Sequence, residues 1–244
     1  MKALILAAGL GTRLRPLTET IPKPLVLINN KPLLQYHLET LCHFGVSATL
    51  INTHYLHEQI ENFVHSYNTK KSGLTATTIF EENLLGSAGT LRYNKFFFEK
   101  EEDIIVVYGD NLTTINYRKL IEYHKEKGGI ITIGTYVEDF PETKGIIIFD
   151  ETKRISRFIE KPKSDQAISH HANAGIYVVN KNIFKFLENF NDIPLDFGYH
   201  IFPYLLAQNA PMYAYEMSEF LLDIGTLKSY TNAQELVKNL HFYD

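Results

Sequence analysis

Residues 6–18 of the chain read LAAGLGTRLRPLT, and residues 22–24 read PKP. This segment directly follows the apolar run at residues 3–6, which predicts a buried strand. Four small residues then let the backbone turn tightly and approach a ligand: Ala7, Ala8, Gly9 and Gly11. Because backbone N–H groups in such a turn point inward, they form a concavity that binds anions. The segment therefore predicts a strand that leads into an anion-binding loop.

Two basic side chains in this segment suit phosphate oxygens. Arg13 offers a planar fork of N–H donors, and Lys23 places a positive charge on a segment that Pro22 and Pro24 make stiff. A plain strand-to-helix turn with chance basic residues is the alternative for each feature alone, but their occurrence together favours a polyphosphate. The segment lacks the Gly-Lys-Ser/Thr of a P-loop, and its glycine spacing differs from the dinucleotide-binding fingerprint.

The composition limits the class of protein. The chain has 244 residues, 45% of them hydrophobic, which suffices for the core of one α/β domain. A net charge of −4 without a basic run argues against nucleic acid as a partner, and no apolar run reaches membrane-spanning length. The chain begins without a signal-peptide pattern and has one cysteine, Cys42, so the sequence predicts a cytoplasmic protein without internal disulfides. A homo-oligomer is compatible with these features.

Strand and helix patterns alternate along the first half of the chain. Apolar spacing there predicts helices over residues 32–44, 57–67, 87–97 and 117–127, and strands over residues 46–52, 75–80 and 104–108. In the second half the predicted strands cover residues 130–136, 145–149, 155–159, 174–179, 212–216 and 220–223, and the predicted helices cover residues 182–187, 198–206 and 226–240. The alternation predicts a Rossmann-like three-layer α/β/α fold with a mostly parallel mixed sheet and a second, smaller lobe.

Two aspartates follow predicted strands. Asp110 comes after the central strand and Gly109, which is the usual position for a magnesium ligand, although an ordinary Asp-Asn turn is the alternative. Asp223 lies in the sequence LDIGT at residues 222–226, where Thr226 could simply cap the last helix. Because magnesium on a triphosphate usually takes one or two protein carboxylates, these two aspartates are sufficient for a metal site.

Three further segments place polar or small residues at strand ends. Residues 82–90 read ENLLGSAGT, in which small residues would let a flat base lie against the backbone, although Ser87 is better explained as the N-cap of the next helix. Residues 158–162 read FIEKP, for which a surface ion pair is the alternative. Residues 173–177 read NAGIY, where Gly175 by itself indicates a strand bulge.

Together these motifs resemble those of the sugar-1-phosphate nucleotidyltransferases, which make nucleotide sugars. Five motifs occur in the family's order between residues 2 and 236. The resemblance implies one nucleotidyltransferase domain over residues 1–244, with a nucleotide-binding lobe up to residue 130 and a sugar-phosphate-binding lobe, including the C-terminal helix, from residue 131. It implies transfer of a nucleoside monophosphate to a sugar 1-phosphate with Mg²⁺ as cofactor. The LGSAG form at residues 85–89 is closer to the mannose-1-phosphate guanylyltransferase branch, which favours GTP and a mannose- or heptose-type sugar.

The resemblance also implies roles for individual residues. The catalytic residues would be Arg13, Lys23, Asp110 and Asp223, and the two aspartates would bind the metal. The nucleotide-binding residues would be Leu6, Ala7, Ala8, Gly9, Gly11, Thr12, Arg13, Lys23, Glu82, Gly86, Ser87, Ala88 and Asp110. The sugar-phosphate-binding residues would be Gly109, Asn111, Gly145, Glu160, Lys161, Asn173 and Gly175.

Two alternative functions stay open. The first is a uridylyl- or cytidylyltransferase that acts on another phosphorylated acceptor, such as an amino sugar phosphate or phosphocholine. The acceptor-side residues FGYH at 197–200, together with Tyr213 and Tyr215, do not decide between these acceptors. The second is a nucleotide-sugar-binding regulatory subunit without catalysis. It is disfavoured because such subunits tend to lose the Arg, Lys or metal-binding Asp that this chain retains.

Overall fold

The computed structural model describes residues 1–70, 73–163, 168–191 and 193–242. Its strands are β1 (Lys2–Leu6), β2 (Leu27–Ile28), β3 (Lys31–Pro32), β4 (Ala48–Thr53), β5 (Thr75–Phe80), β6 (Asp103–Tyr108), β7 (Asn111–Thr113), β8 (Ile131–Val137), β9 (Gly145–Phe149), β10 (Ile155–Glu160), β11 (His171–Asn180), β12 (Met212–Glu216) and β13 (Leu221–Asp223). Its α-helices are α1 (Leu33–His43), α2 (His57–Thr69), α3 (Ser87–Tyr93), α4 (Lys95–Phe98), α5 (Tyr117–Lys127), α6 (Ile183–Leu187), α7 (Phe202–Ala207) and α8 (Leu227–Leu236).

The chain folds into two compact units, and each is assembled from separate stretches of sequence. The first unit comprises Met1–Leu84, Val107–Tyr117 and Glu219–Asp244. The second unit comprises Leu85–Val106 and Arg118–Ser218. The chain therefore passes between the units four times: after Leu84, within β6, near the start of α5 and after Ser218. The expected change from nucleotide binding to sugar-phosphate binding at about residue 130 stays a prediction.

The first unit contains a parallel sheet in which β4 lies between β1 and β5. Leu6 is paired with Asn52, and Asn52 is paired with Ile79, so the carboxyl ends of the three strands meet at one edge. Parallel neighbours need crossover connections, which α1 provides between β1 and β4 and α2 provides between β4 and β5. The residues that follow these strands therefore lie at the edge where open α/β sheets bind ligands.

One hydrophobic cluster of the first unit joins segments that are far apart in sequence. Its buried members are Leu14, Val26, Ile28, Leu33, Tyr36, Leu112, Ile224, Ala233 and Val237. Burying a large aliphatic side chain is worth about 1.5–3 kcal/mol. The cluster therefore fixes three chain segments relative to one another: the glycine loop (residues 7–26), β7, and the turn between β13 and α8.

The second unit contains a largely antiparallel arrangement. β8 pairs with β11 in antiparallel orientation and with β12 in parallel orientation, while β9 pairs with β10 and with β11. The register of β11 shifts between Asn173 and Tyr177, and Gly175 has a φ of 66° within this shift. This backbone conformation favours glycine. The strand bulge that the sequence indicated at Gly175 is therefore present.

The α/β fold class with a mixed sheet is confirmed, and most predicted elements are present within a few residues of their expected ends. The predicted helix over residues 87–97 is two helices, because Asn94 ends α3 and its side-chain amide donates to the Thr90 carbonyl over 2.9 Å. The predicted helix over residues 198–206 begins as a π-helical turn over Phe197–Ile201. Within the described ranges, every helix is too short or too polar to cross a bilayer.

Candidate active site

The glycine loop is closed by contacts among its own residues. Gly11 has a φ of 65°, and its carbonyl accepts hydrogen bonds from the Thr18 hydroxyl over 2.7 Å and from the Leu14 N–H over 3.0 Å. A Cβ atom on Gly11 would lie 3.0 Å from Thr18 Cγ2 and 3.3 Å from Lys23 Cβ. Gly9 is different, because a Cβ atom there would meet nothing within 4 Å. The loop therefore needs glycine at position 11 for its own conformation, whereas Gly9 leaves open space above the backbone.

A buried polar chain fixes the start of the glycine loop. The N–H of Ala7 donates to Asn52 Oδ1 over 2.7 Å, and Asn52 Nδ2 donates to Glu81 Oε1 over 3.0 Å. Asn52 and Glu81 are each only 4% exposed. Sequence reasoning did not identify either residue, although a polar residue at the end of an apolar strand such as β4 was a usable signal.

Lys23 lies between the two predicted metal-binding carboxylates. Its Nζ atom is 2.7 Å from Asp110 Oδ2 and 3.7 Å from Asp223 Oδ1. The Lys23 side chain is 10% exposed, whereas the side chains of Asp110 and Asp223 are 33% and 25% exposed. The ammonium is thus withdrawn from solvent, while both carboxylates keep a face that a ligand can reach.

The pairing of two short strands brings the two aspartates together. β7 and β13 are antiparallel, with Asp223 opposite Asn111, and the N–H of Ile224 donates to the Asp110 carbonyl over 2.9 Å. Leu112 and Ile224, which flank the aspartates, are both fully buried in the hydrophobic cluster of the first unit. Burial of these two side chains therefore turns the neighbouring carboxylates toward the same place.

Two glycines allow close approach around the carboxylates. A Cβ atom on Gly225 would lie 2.9 Å from Asp223 Oδ1 and 3.0 Å from Arg13 Nη2, so Arg13 and Asp223 both reach the surface of this glycine. The N–H of Gly109 donates to the Leu6 carbonyl over 2.9 Å, and a Cβ atom on Gly109 would lie 3.1 Å from that carbonyl oxygen. These contacts place Arg13 beside Asp223, and they pack Gly109, the residue before Asp110, against the end of β1.

The two carboxylates fit a divalent cation that also binds substrate phosphates. They already share one cation, the ammonium of Lys23, and both offer the hard oxygen ligands that Mg²⁺ prefers. Among the described residues, no group of three or more His, Cys, Asp or Glu side chains forms a complete metal cage. A two-carboxylate site is the arrangement in which phosphate oxygens complete the coordination.

A buried histidine, His37, lies close to the Asp110 carboxylate and to the Asn111 backbone. It belongs to α1, is 3% exposed, and donates a hydrogen bond to the backbone of Asn111. Burial lowers the pKa of His37 to about 4, against the opposing effects of the nearby Asp110 carboxylate and of the hydrogen bond to Asn111. The imidazole is therefore neutral at pH 7. Sequence reasoning did not identify His37, because a histidine on a buried helix face carries no local functional signal.

In the second unit, Glu160 lies against two glycines. A Cβ atom on Gly145 would lie 2.6 Å from Glu160 Oε2, and a Cβ atom on Gly198 would lie 2.5 Å from the same oxygen. Burial raises the pKa of Glu160, and the nearby Asp196 acts in the same direction, while Lys161 and Lys144 oppose both. The structure therefore brings together the predicted pair of Glu160 and Gly145. It adds a contact between Glu160 and Gly198 of the acceptor-side segment 197–200, which the sequence did not predict.

Asn173 is held by residues of its own strand. Its Nδ2 donates to the Tyr177 hydroxyl over 2.9 Å, and its Oδ1 accepts from the Gly175 N–H over 2.9 Å. Tyr177 packs against Phe197 and Phe202 with ring centroids 5.3 and 5.4 Å apart, and Phe158 packs against Phe202 at 4.8 Å. One aromatic cluster thus lies beneath Asn173 and beneath the strand that carries Glu160. Lys161 is exposed, and its backbone has a φ of 47°.

The small residues at 86–89 contact protein rather than open space. A Cβ atom on Gly86 would lie 2.6 Å from the backbone of Leu195, whose carbonyl accepts the N–H groups of Ala88 and Gly89 over 2.9 Å. The expectation that Ser87 caps the helix is wrong. Gly86 occupies the N-cap position, and the Ser87 hydroxyl contacts Asp196 Oδ1 at 3.1 Å.

The predicted site residues are distributed over both units. Those in the first unit are Leu6, Ala7, Ala8, Gly9, Gly11, Thr12, Arg13, Lys23, Glu82, Gly109, Asp110, Asn111 and Asp223. Those in the second unit are Gly86, Ser87, Ala88, Gly145, Glu160, Lys161, Asn173 and Gly175. The predicted catalytic set therefore falls within one unit. The binding roles of all these residues stay predictions.

Comparison with known proteins gives relatives along almost the whole chain. The chain is 34% identical to a UTP–glucose-1-phosphate uridylyltransferase of Synechocystis over 96% of its length, and 32% identical to a mannose-1-phosphate guanyltransferase of Saccharomyces cerevisiae over 98% of its length. It spans 62% and 65% of these two relatives, which is less than two thirds of either.

A solved structure is also similar. The crystal structure of HddC from Yersinia pseudotuberculosis complexed with GMP-PN superimposes with a TM-score of 0.77 at 28% identity, covering 96% of this chain and 98% of that one. The model of the nucleotidyl transferase family matches residues 2–239. Members of this family generally use a divalent metal. The chain belongs to the nucleotidyl transferase family.

Proposed function

We propose that the chain transfers a nucleoside monophosphate from a nucleoside triphosphate to a sugar 1-phosphate, giving a nucleotide sugar and pyrophosphate. The observation that carries the proposal is the position of the Lys23 ammonium, 2.7 Å from Asp110 and 3.7 Å from Asp223, at the end of the glycine loop. Two carboxylates, a buried lysine and an arginine beside one small-residue loop suit the binding of a triphosphate with its metal.

The reaction needs no protein nucleophile. An oxygen of the sugar phosphate attacks the α-phosphorus in line, a new P–O bond forms, and the bond between the α-phosphorus and its bridging oxygen breaks. The electron pair of that bond leaves with pyrophosphate. The protein's contribution is positioning and charge neutralisation. Lys23 would hold the triphosphate near the transferring phosphorus, and Arg13 would stabilise the charge on the leaving pyrophosphate.

Asp110 and Asp223 would hold Mg²⁺. When bound, the ion supplies Lewis acid charge neutralisation at the phosphate oxygens. The chain's own residues provide the remaining positive charge in this unit, since Lys23 is buried between the two carboxylates and Arg13 reaches Gly225 beside Asp223. Lys23 and Arg13 balance the charges of the two carboxylates, so the charge of a bound Mg²⁺ would remain to attract a ligand that carries several negative charges.

The second unit would supply recognition of the sugar phosphate. Glu160, Asn173 and Gly175 are polar or small residues held in place by the aromatic cluster and by the bulge of β11. A partly buried carboxylate such as Glu160 can accept hydrogen bonds from sugar hydroxyls. Lys161 would bind the sugar phosphate and offset the repulsion between its negative charge and that of the triphosphate. Its backbone lies in a sparsely populated region, as functional residues often do.

GTP is the proposed nucleotide, and a mannose- or heptose-type sugar 1-phosphate is the proposed acceptor. The LGSAG form at residues 85–89, the guanyltransferase of Saccharomyces cerevisiae and the HddC complex with GMP-PN support this choice. The similarity to the uridylyltransferase of Synechocystis supports UTP with glucose 1-phosphate as a second candidate.

The experiment that tests the proposal measures pyrophosphate release with Mg²⁺ across GTP, UTP, CTP and dTTP, each combined with a panel of sugar 1-phosphates. Release with GTP and a manno-configured sugar 1-phosphate is expected. Release only with another nucleotide would support the transferase reaction but contradict the assignment of GTP as the nucleotide. Absence of release from all combinations, with a folded protein that still binds a nucleotide, would contradict the transferase proposal. The matched control omits the sugar phosphate, which separates transfer from hydrolysis.

A further inference from the structure

The corner at residues 110 and 111 carries the first metal-binding carboxylate, and two hydrogen bonds from other segments hold its backbone. The N–H of Ile224 donates to the Asp110 carbonyl over 2.9 Å, and the imidazole of His37 donates to the Asn111 carbonyl. One bond comes from the chain after β13 and the other from α1. The peptide groups on both sides of the corner are therefore fixed from two directions.

The ring nitrogen that makes this bond can be identified. His37 Nε2 is buried and makes no hydrogen bond within the described part of the chain, so the donor to Asn111 is Nδ1–H. A buried ring nitrogen without a hydrogen-bond partner lowers the free energy of unfolding. An aliphatic residue on the same helix face would avoid this cost. The retained polar bond therefore indicates that holding the Asn111 carbonyl matters more than an apolar contact.

We infer that His37 is a positioning residue, which holds the corner at Asp110 and Asn111 so that the Asp110 carboxylate converges with that of Asp223. This inference rests on the proposed function only where it concerns the metal. Asn111 lies opposite Asp223 in the β7–β13 pair, so a shift of this corner changes the separation of both carboxylates. Displacement of a catalytic group by about 1 Å can cost on the order of 100-fold in rate.

Two substitutions separate the hydrogen bond from simple packing. Asparagine attaches a side-chain N–H donor to the same Cγ position as histidine Nδ1, so His37→Asn keeps a donor near the Asn111 carbonyl. His37→Leu fills the site without a donor. If His37→Leu does not fold, His37→Met serves as the second variant without a donor.

The first measurement is amide hydrogen exchange at Ile224 in the metal-free protein, because that N–H is bonded to the Asp110 carbonyl. Exchange at Ile224 should accelerate at least ~10-fold in His37→Leu relative to His37→Asn, after correction for global stability. Equal exchange in both variants would overturn the inference, because His37 would then only fill space.

The second measurement is the dissociation constant for Mn²⁺ alone, by electron paramagnetic resonance. His37→Leu should bind Mn²⁺ about 10-fold more weakly than wild type, at the lower end of the usual cost of losing a metal site's supporting contact. His37→Asn should bind within about 2-fold of wild type. A His37→Leu protein with wild-type Mn²⁺ affinity would overturn the metal part of the inference. If wild type itself binds no Mn²⁺, the proposed metal site fails, and the exchange result alone decides the positioning role.

Discussion

Lys23 Nζ donates a hydrogen bond to Asp110 Oδ2 over 2.7 Å. The same ammonium lies 3.7 Å from Asp223 Oδ1, so the two carboxylates share one buried cation. A divalent cation would bind to the same two groups. Loss of the lysine should therefore weaken the metal-free protein and make its stability depend on metal.

Lys23→Met should lower the Tm of the metal-free protein by several degrees. Two partly exposed carboxylates then lack their cation, which lowers the free energy of unfolding by about 1–3 kcal/mol. Each kcal/mol lowers the Tm of a chain of this size by about 2–4 °C. Mg²⁺ should restore most of the loss, because it binds the folded state. Thermal unfolding in EDTA and in Mg²⁺ measures both effects.

The control for this substitution is Lys238→Met, which removes an exposed ion pair with Glu235. Such pairs contribute less than about 1 kcal/mol, so its Tm should stay near that of wild type under both conditions. If Lys23→Met is as stable as wild type in EDTA, the buried lysine does not hold the carboxylates as described.

Gly225→Ala should reduce turnover by about 100-fold with little loss of stability. The added Cβ would lie 2.9 Å from Asp223 Oδ1 and 3.0 Å from Arg13 Nη2, so at least one of these groups must move. Steady-state pyrophosphate release with a thermal unfolding control measures the effect. Wild-type turnover in this variant would show that neither side chain needs its present position.

Gly11→Ala should lower the stability of the fold, whereas Gly9→Ala should weaken nucleotide binding. Gly11 has a φ of 65° and close contacts to Thr18 and Lys23, so alanine there should lower the Tm by a few degrees, as a strained residue costs about 1–2 kcal/mol. Gly9 has open space at its Cβ position, so Gly9→Ala should keep the Tm. Its KM for the nucleotide should rise, because the methyl group covers backbone proposed to contact phosphate. An unchanged KM would remove Gly9 from the nucleotide site.

Glu160→Gln should change stability in a pH-dependent way. Burial raises the pKa of Glu160 above its ordinary value of 4.5, so the folded state holds the proton more tightly than the unfolded state. The stability linked to this group is therefore present below the unfolded pKa and is lost as the pH rises through the folded pKa. Glutamine, which cannot ionise, should match wild type at low pH and exceed its Tm at pH 8.

The same variant should bind the sugar phosphate more weakly, because glutamine is a poorer acceptor for sugar hydroxyls than a carboxylate. Thermal unfolding between pH 4 and 8, together with the KM for the sugar 1-phosphate at pH 8, measures both effects. A Tm difference that does not vary with pH would contradict the buried, ionised state of Glu160. An unchanged KM would remove it from the sugar site.

The sequence predicted the elements of the fold better than the contacts that assemble the site. Strong apolar periodicity placed the long helices and strands, and the motifs predicted a site at Lys23, Asp110 and Asp223, which lie together in the structure. The pairing of β7 with β13 could not be predicted, because each strand has three residues and more than 100 residues separate them. That pairing is what places Asp223 opposite Asn111.

Residues that act through other residues gave no local signal. His37 lies on a helix face that is otherwise buried, and its partner is a backbone carbonyl 74 residues away in sequence. Gly198 follows Phe197 in a turn that was predicted as an ordinary helix, and only the structure shows its contact with Glu160. Ser87 was assigned as a cap from its residue type, whereas Gly86 occupies that position because Leu195 packs against it.

The two-carboxylate metal site is tested most directly by pyrophosphate release from Asp223→Asn with Mg²⁺, GTP and the best sugar 1-phosphate, compared with wild type and Asp110→Asn. Asparagine keeps the size of the side chain but removes the charge that would hold the metal. Turnover should fall by about 100- to 1,000-fold in each variant, as expected when a main electrostatic contribution is lost. Each variant should still unfold cooperatively, with a Tm a few degrees below that of wild type, because the buried Lys23 ammonium loses one of its two carboxylate partners. Wild-type turnover in Asp223→Asn would contradict the proposal that these two carboxylates form the catalytic metal site.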